Sequence, residues 1–271
     1  MIRFTLKRQP TVPLEAECLS PDVVCALSHG EIRSLPVYHG KRRLRLDEFF
    51  DVDGEASADL EIHGDLSRVK WIGREMTQGK IRIVGDAGMH LGAYMKGGEI
   101  EVTGNASDWI GGEMKGGLIR IGGNAGGQIG AAYRGSRAGM NGGTILVRGS
   151  AGVEIGMRMK RGIIAVQGPV RDFAGLQMLG GTIVLLGGAE IRTGAWMKRG
   201  TIISLASIPL MPTFCFACAY VPTFLRVYAR FLASFGLSLP IDDSQGVYHR
   251  YSGDTAVPGK GEILVWHPSA G

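Results

Sequence analysis

Cysteine is scarce. The four in 271 residues, Cys18, Cys25, Cys215 and Cys218, cannot staple a chain of this length, so a reducing, cytoplasmic setting is expected. Aromatic residues make up 7%, too few for a surface built to stack nucleobases. Charged residues are also few at 20%, yet a hydrophobic content of 45% excludes a disordered chain. Proline numbers 11 with no Gly triplet, which excludes collagen. The excess of positive charge is small, +5 with a pI near 9.1; it permits an acidic partner without implying nucleic acid. Met1 to Pro10 lacks the apolar core of a secretory signal. One uncharged run, Ile202 to Leu225, has the 24 residues needed to span a bilayer, but Pro209, Pro212 and Pro222 cut it, so no membrane partner is expected.

Glycine is abundant instead: 43 residues, where a usage of roughly 7% would give about 19. The excess is periodic. Met76, Met95, Met114, Met140, Met159, Met178 and Met197 follow one another in steps of 19, 19, 26, 19, 19 and 19. Glycines stand three residues before most of these Met, at Gly73, Gly92, Gly111, Gly156, Gly175 and Gly194, and three after each, from Gly79 to Gly200. A third set, Gly85, Gly104, Gly123, Gly149, Gly168 and Gly187, comes six further on. The long step reads as a seven-residue insertion between Gly130 and Met140, carrying Tyr133, Arg134 and Arg137.

Between the second and third glycines lie five residues with period-two alternation, such as Lys80-Ile81-Arg82-Ile83-Val84. Leu60 to Gly64 reads as an eighth unit of the same parity. A 19-residue unit is too short for a strand, a helix and a crossover, so the chain must turn at glycines and stack unit on unit. The expected fold is mainly β: a parallel, right-handed β-helix of seven to eight coils, about 4.8 Å apart. The Met column reads as core filler, and the glycines as corners rather than phosphate loops.

The expected organisation is an N-terminal cap over 1–56, the repeats over 57–206, and a C-terminal cap over 207–271 with an amphipathic helix at 222–235. Ser20-Pro21 opens a short helix in the first cap, and a strand pair through Val247–Tyr251 and Ile263–Trp266 ends the second. The outward strand positions change along the repeats, from Lys80, Arg82, Glu99 and Glu101 to Ile163, Ala165, Val184 and Ile203. That apolar face needs cover. The predicted cover is the helix, seated through Phe224, Val227, Phe231 and Phe235.

No catalytic constellation is visible. Cys215-Phe216-Ala217-Cys218 is a lone CxxC with no further ligands at zinc spacing, and its cysteines read as buried small hydrophobes. The six His are scattered, and Glu99 and Glu101 have Arg82, Arg120 and Leu118 as neighbours rather than further acids, so neither a metal site nor a lyase is predicted. More distinctive is a basic column after the Met: Lys96, Lys115, Lys160 and Lys198. With Arg134 and Arg137 of the insertion, these are the candidate docking residues for an acidic partner or a polyanionic ligand; the alternative is a solvated turn.

The Gly-x-x-Met-x-x-Gly unit, its Gly-Asn-Ala-Gly turns, and the tail segments Leu210–Phe214, Pro222–Leu225 and Arg250–Asp254 resemble the formylmethanofuran dehydrogenase C-subunit family over nearly the whole chain. The repeat alone is also similar to the last domain of glutamate synthase, which normally ends a much longer chain, whereas this sequence starts at Met1. The resemblance implies a non-catalytic β-helical subunit of a complex of one-carbon metabolism, binding no cofactor or metal itself. In archaea such a complex reduces CO2 to formyl-methanofuran, with pterin-bound metal and iron–sulfur clusters in other subunits. In methylotrophic bacteria a related formyltransferase/hydrolase complex moves a formyl group from tetrahydromethanopterin to a methanofuran analogue and releases formate. A composition rich in Arg, Gly, Ala and Leu favours the second. An independent carbohydrate-active or polyanion-binding β-helix remains the third reading.

Overall fold

The computed structural model describes residues 1–269. It is mainly β, and a 13-stranded, mostly parallel sheet dominates it. From Asp59–His63 to Arg199–Ser204 the repeat strands pair in sequence order with like positions opposed, Ile81 beside Ile100, Ile119, Ile145, Ile164, Ile183 and Ile202. A second parallel ladder of single bridges joins Leu66, Ala87, Ala106, Ala125, Ala151, Val170 and Ala189. Its register is reinforced by side chains. Asp86, Asn105 and Asn124 each accept the backbone amide of the same column one repeat on, at Asn105 (2.7 Å), Asn124 (2.9 Å) and Ser150 (2.9 Å).

Both termini continue the main ladder. Ile2–Leu6 lies parallel to the first repeat strand, with Ile2 beside Leu60 and Phe4 beside Ile62. At the far end Gly261–Pro268 lies parallel to the last, with Ile263 beside Ile202. The open ends are then closed by antiparallel partners, Phe50–Gly54 at one and Gly246–Gly253 followed by Cys215–Tyr220 at the other. A small second sheet, formed by Leu14–Glu15, Pro36–His39, Arg42–Arg45 and Val69–Lys70, covers the first repeat, as does the expected short helix Pro21–Val24.

All seven repeat Met side chains are fully buried, as are the inward Ile columns. Each Met methyl occupies a notch left by a glycine of the next repeat. A Cβ on Gly117 would lie 2.7 Å from Met95 Cε, and one on Gly143 would lie 2.7 Å from Met114 Cε. The glycine before the Met leaves room for an Ile instead: a Cβ on Gly111 would come within 2.5 Å of Ile145 Cδ1. Two of the glycine columns are therefore packing positions as well as turns.

The outer face of the later repeats is covered as the apolar columns require. Leu146, Ala165, Val184 and Ile203 form one buried cluster with Leu225, Ala229, Leu232, Leu237, Leu239, Tyr248 and Leu264. The covering helix spans Leu225–Ala233, shorter than the predicted 222–235, and it is rotated from the predicted seat. Leu225, Ala229 and Leu232 face the sheet, while Val227 is 72% exposed and Phe224 and Phe231 lie at the surface. Spacings of four and three make those three residues a single helical stripe, and the small Ala229 at its centre lets the helix approach the strands. Tyr228 anchors one flank, its hydroxyl 3.0 Å from Thr182 Oγ1.

Two stability tests follow from this packing. Gly117→Ala, with φ +91° and the Met95 methyl in the way, is expected to cost about 1–3 kcal/mol in urea unfolding. Val184→Glu places an unpaired carboxylate beneath the helix and should cost more than about 3 kcal/mol by the same assay. A midpoint unchanged by either substitution would contradict the packing described.

Candidate functional site

The corners of the repeat display its most distinctive side chains. Two positions per repeat, two residues before the first glycine and one before the Met, hold non-glycine residues in the left-handed region: Trp71, His90 and Trp109 at the first, Glu75, Tyr94 and Glu113 at the second. Such backbone costs roughly 1–2 kcal/mol per residue. Here it turns each amide onto the next repeat, so that His90 donates to Asp108 O (3.1 Å), Tyr94 to Gly112 O (2.8 Å) and Trp109 to Gly127 O (3.0 Å). An inter-repeat hydrogen bond worth about 0.5–1.5 kcal/mol offsets most of the strain.

On the early repeats these positions gather an aromatic cluster. Trp71 and His90 stack 4.1 Å apart at 9°, and Trp109 stacks on Tyr133 at 4.7 Å. Tyr133 comes from the seven-residue insertion, which folds back over the preceding repeats. Its hydroxyl lies 3.0 Å from His90 Nδ1, its amide donates to Glu113 Oε1 at 3.0 Å, and its ring sits over Gly112, where a Cβ would lie 2.8 Å from the hydroxyl. Arg74 caps the rings of Trp71 and Tyr94 at 5.2 and 5.7 Å. Burial, and secondarily the charge of Lys70, push the His90 pKa down to about 4. Burial likewise raises the Tyr133 phenol. The cluster is a clasp for the insertion loop, closed by ring stacking and by the two hydrogen bonds of Tyr133.

The predicted basic column is exposed but not continuous. The amides of Lys96, Lys115, Lys160 and Lys198 each bond to the Met carbonyl of the preceding repeat, at 2.7–2.8 Å. The same rung is filled by Asn141 between Lys115 and Lys160, and by Leu179 between Lys160 and Lys198. Lys96 also pairs with Glu75 Oε2 at 3.7 Å. Lys96 and Lys115 thus stay on adjacent rungs, while one uncharged rung separates Lys115 from Lys160 and another separates Lys160 from Lys198, which lowers their mutual repulsion. Arg134 stands exposed on the insertion.

Arg137 and Lys198, far apart in sequence, are brought together. They line an open cleft of about 530 Å³ with Arg158, Gln177, Leu179, Trp196 and Val257. Arg158 donates to Gln177 Oε1 (2.8 Å) and Ser136 O (2.9 Å), which holds its guanidinium in place. Among the described residues no carboxylate lies within 4.0 Å of the charged atoms of Arg137, Arg158 or Lys198. Three uncompensated cations beside an exposed Trp196 make this an anion-attracting cleft. A second cleft of about 560 Å³, past the end of the helix at Arg120, is different. Arg120 pairs there with Glu99 and Glu101, as Lys80 also does.

The sequence alone does not single out Arg158 and Trp196. Their signal is the residue before the repeat Met, which varies from repeat to repeat and is inconspicuous beside the regular glycines. The cysteine expectation is also incorrect. Cys215 and Cys218 are exposed, because their strand is the last of the sheet rather than a buried rung. Among the described residues no three His, Cys, Asp or Glu side chains converge as a metal-ligand group, and no helix is long and apolar enough to cross a membrane.

The repeats define the class of protein: residues 63–208 match the family model described as the GXGXG motif. The chain belongs to the formylmethanofuran dehydrogenase C-subunit family. It is 42% identical over 97 residues to the C-subunit of tungsten-containing formylmethanofuran dehydrogenase 2 from Methanothermobacter thermautotrophicus, covering 34% of this chain and 36% of that protein. The C-subunit of the molybdenum-containing enzyme 1 of the same organism is 50% identical over 83 residues, 30% of this chain and 21% of that one. The chain thus spans about a third or less of the length of these curated relatives in the matched segments. A chain in the crystal structure of the formyltransferase/hydrolase complex (FhcABCD) from Methylorubrum extorquens with methylofuran superposes with a TM-score of 0.88 at 34% identity, covering 97% of this chain and 98% of that one.

The clasp is tested by pH. The unfolded chain takes up a proton on His90 near 6.5 and the folded chain only near 4, so acidification across that window favours unfolding. The stability contribution of neutral His90 is complete above pH 6.5 and lost as pH falls towards 4. His90→Gln should flatten this part of the urea-midpoint profile. Tyr133→Ala should raise amide exchange in 131–139; protection left intact there would show that the clasp does not hold the loop.

Proposed function

We propose that this chain is a non-catalytic structural and assembly subunit of a formyl-transferring complex of one-carbon metabolism, of the bacterial formyltransferase/hydrolase kind. The observation that carries the reading is the near-complete superposition, caps included, on a chain of the Methylorubrum extorquens complex. The archaeal relatives match more strongly in identity, but over about a third of the chain. An archaeal-type dehydrogenase subunit is therefore the second reading. A relay domain like that of glutamate synthase would not account for the caps.

Under this reading the chemistry belongs to other subunits. They would hold the metals and the methanofuran-type cofactor and act on tetrahydromethanopterin-bound formyl groups, in the cytoplasm. The repeats would serve as a stiff rod, and two parallel ladders in chain order support their winding as a β-helix. The cleft of Arg137, Arg158 and Lys198 would take an acidic segment of a partner subunit or a carboxylate-rich cofactor tail, aided by Lys115, Lys160 and Arg134.

Two measurements test this. Native purification with mass spectrometry should recover the chain with formyl-transferring partners, whereas the pure chain should show no formyl transfer or hydrolysis. Recovery as a lone, active enzyme would overturn the proposal. Arg137→Glu with Lys198→Glu should weaken complex assembly or cofactor retention about tenfold or more at low salt, and less at high salt. No change in either would remove the cleft from the docking surface.

A further inference from the structure

The last strand of the sheet and the helix that follows it leave an apolar surface that the chain itself does not cover. Cys215–Tyr220 has a neighbour on one side, Gly246–Gly253, and none on the other among the described residues, and all six of its residues are exposed. Sheet edges are normally blunted by charge, proline or a bulge. This one has a register irregularity between Phe216 and Cys218, but neither charge nor proline. Phe216 is 57% exposed even though its ring packs edge-on against His249 and Tyr251.

Only Val221–Phe224 separates this strand from the helix Leu225–Ala233. Because Leu225, Ala229 and Leu232 take the inner face of that helix, a second stripe points outward. It consists of Phe224, Val227 and Phe231, spaced three and four apart, and all are exposed. A helix with apolar residues on both faces is expected where both faces are buried. The free edge and the outer stripe are independent observations, and both call for a cover.

Charge identifies the cover. From Ile191 to Ile241 the sequence contains no Asp or Glu. Arg226 and Arg230 flank the outer stripe, exposed, and neither has an acidic partner among the described residues. One strand further in, Gly261–Pro268 carries Glu262, but Arg250 (2.7 Å) and Thr201 (2.8 Å) already engage it. A second copy of this chain would meet the stripe about a two-fold axis and bring like arginines together with no acid between them.

We propose that the edge Cys215–Tyr220 and the stripe Phe224, Val227, Phe231 form one docking surface for a different subunit of the complex. That subunit would add a strand to the free edge and set an apolar surface with an acidic rim against the helix. The edge supplies backbone hydrogen bonds without side-chain selectivity, the apolar stripe supplies burial, and Arg226 and Arg230 fix the choice of partner. The inference rests on the reading of the chain as a subunit of a hetero-oligomer, and adds where on the chain assembly takes place.

The test is co-expression of the full chain with its partner subunits. Val227→Glu, Phe216→Lys and the double variant Arg226→Glu/Arg230→Glu should each lower recovery of at least one partner about tenfold or more. Val227 is so exposed that the isolated Val227→Glu chain should keep the wild-type melting temperature. Ile191→Glu, an equally apolar surface site on the repeats and outside this surface, should assemble as wild type does. Full assembly by all three surface variants would overturn this inference alone, leaving the subunit reading intact. A wild-type chain that recovers no partner would overturn both. A homodimer of the wild-type chain that Val227→Glu dissolves would overturn the choice of a heteromeric partner.

Discussion

The structure depends on a repeated contact, the methyl of each Met against a glycine of the next repeat. Its geometry leaves little tolerance: added methyl groups at Gly98, Gly117 and Gly143 would all come within 2.6–2.7 Å of the Met of the repeat before. The contact couples each unit to the next, and it works only if the strands keep the same register throughout. The Ile columns and the Asp86–Asn105–Asn124 ladder impose that register from two other sides. Three constraints of different chemistry therefore point to one spacing, and agreement of that kind is what makes a repetitive sequence fold uniquely.

The left-handed corners are the second consequence. Once the strands stack in register, the corner amides must find partners in the next repeat, and the αL conformation aims them there. The side chain at such a corner points away from the core and is free of packing demands. Variation accumulates there, with Trp71 and His90 on one repeat pair and Phe173 and Arg192 on another, the latter two joined as a cation–ring pair at 4.1 Å. The stack is uniform inside and individual outside, which is the arrangement expected of a binding surface built on a rigid scaffold.

Much of the fold could be read from the sequence because it is written in periodic residues. The Met and glycine spacings located the strands, and the loss of charge after Leu118 and Arg120 indicated that the later outer face is covered. The helix that covers it was also legible, but its rotation was not. Sequence periodicity gives Phe224, Val227 and Phe231 as good a claim to the core as Leu225, Ala229 and Leu232. The difference is steric: the small Ala229 permits close approach, and that depends on the shape of the strands beneath. Cys215 and Cys218 were misplaced for a related reason, since an uncharged strand reads as buried unless its position at the sheet edge is known. The basic cleft was half legible. Arg137 and Lys198 could be marked as cations, but their meeting depends on how the insertion folds back, which Tyr133 and Gly112 decide through contacts across repeats.

The insertion and the C-terminal tail solve different problems with the same means. A stack of identical repeats has no feature that distinguishes one level from another, so a partner could slide along it. The insertion breaks that symmetry at one level, and its clasp on Trp109 and His90 presents Arg137 to the cleft formed with Arg158 and Lys198. The tail breaks it at the end, by returning Gly261–Pro268 to the ladder and laying the helix over the outer columns. In doing so the tail exchanges one apolar surface for another. It removes Leu146, Ala165, Val184 and Ile203 from water and leaves Val227, Phe231 and a strand edge without charge or proline in their place. Surface that is merely tolerated would be expected to shed such groups, because a long apolar edge invites aggregation. Beside two arginines that have no acidic partner among the described residues, these are the groups that the proposed neighbouring subunit would cover.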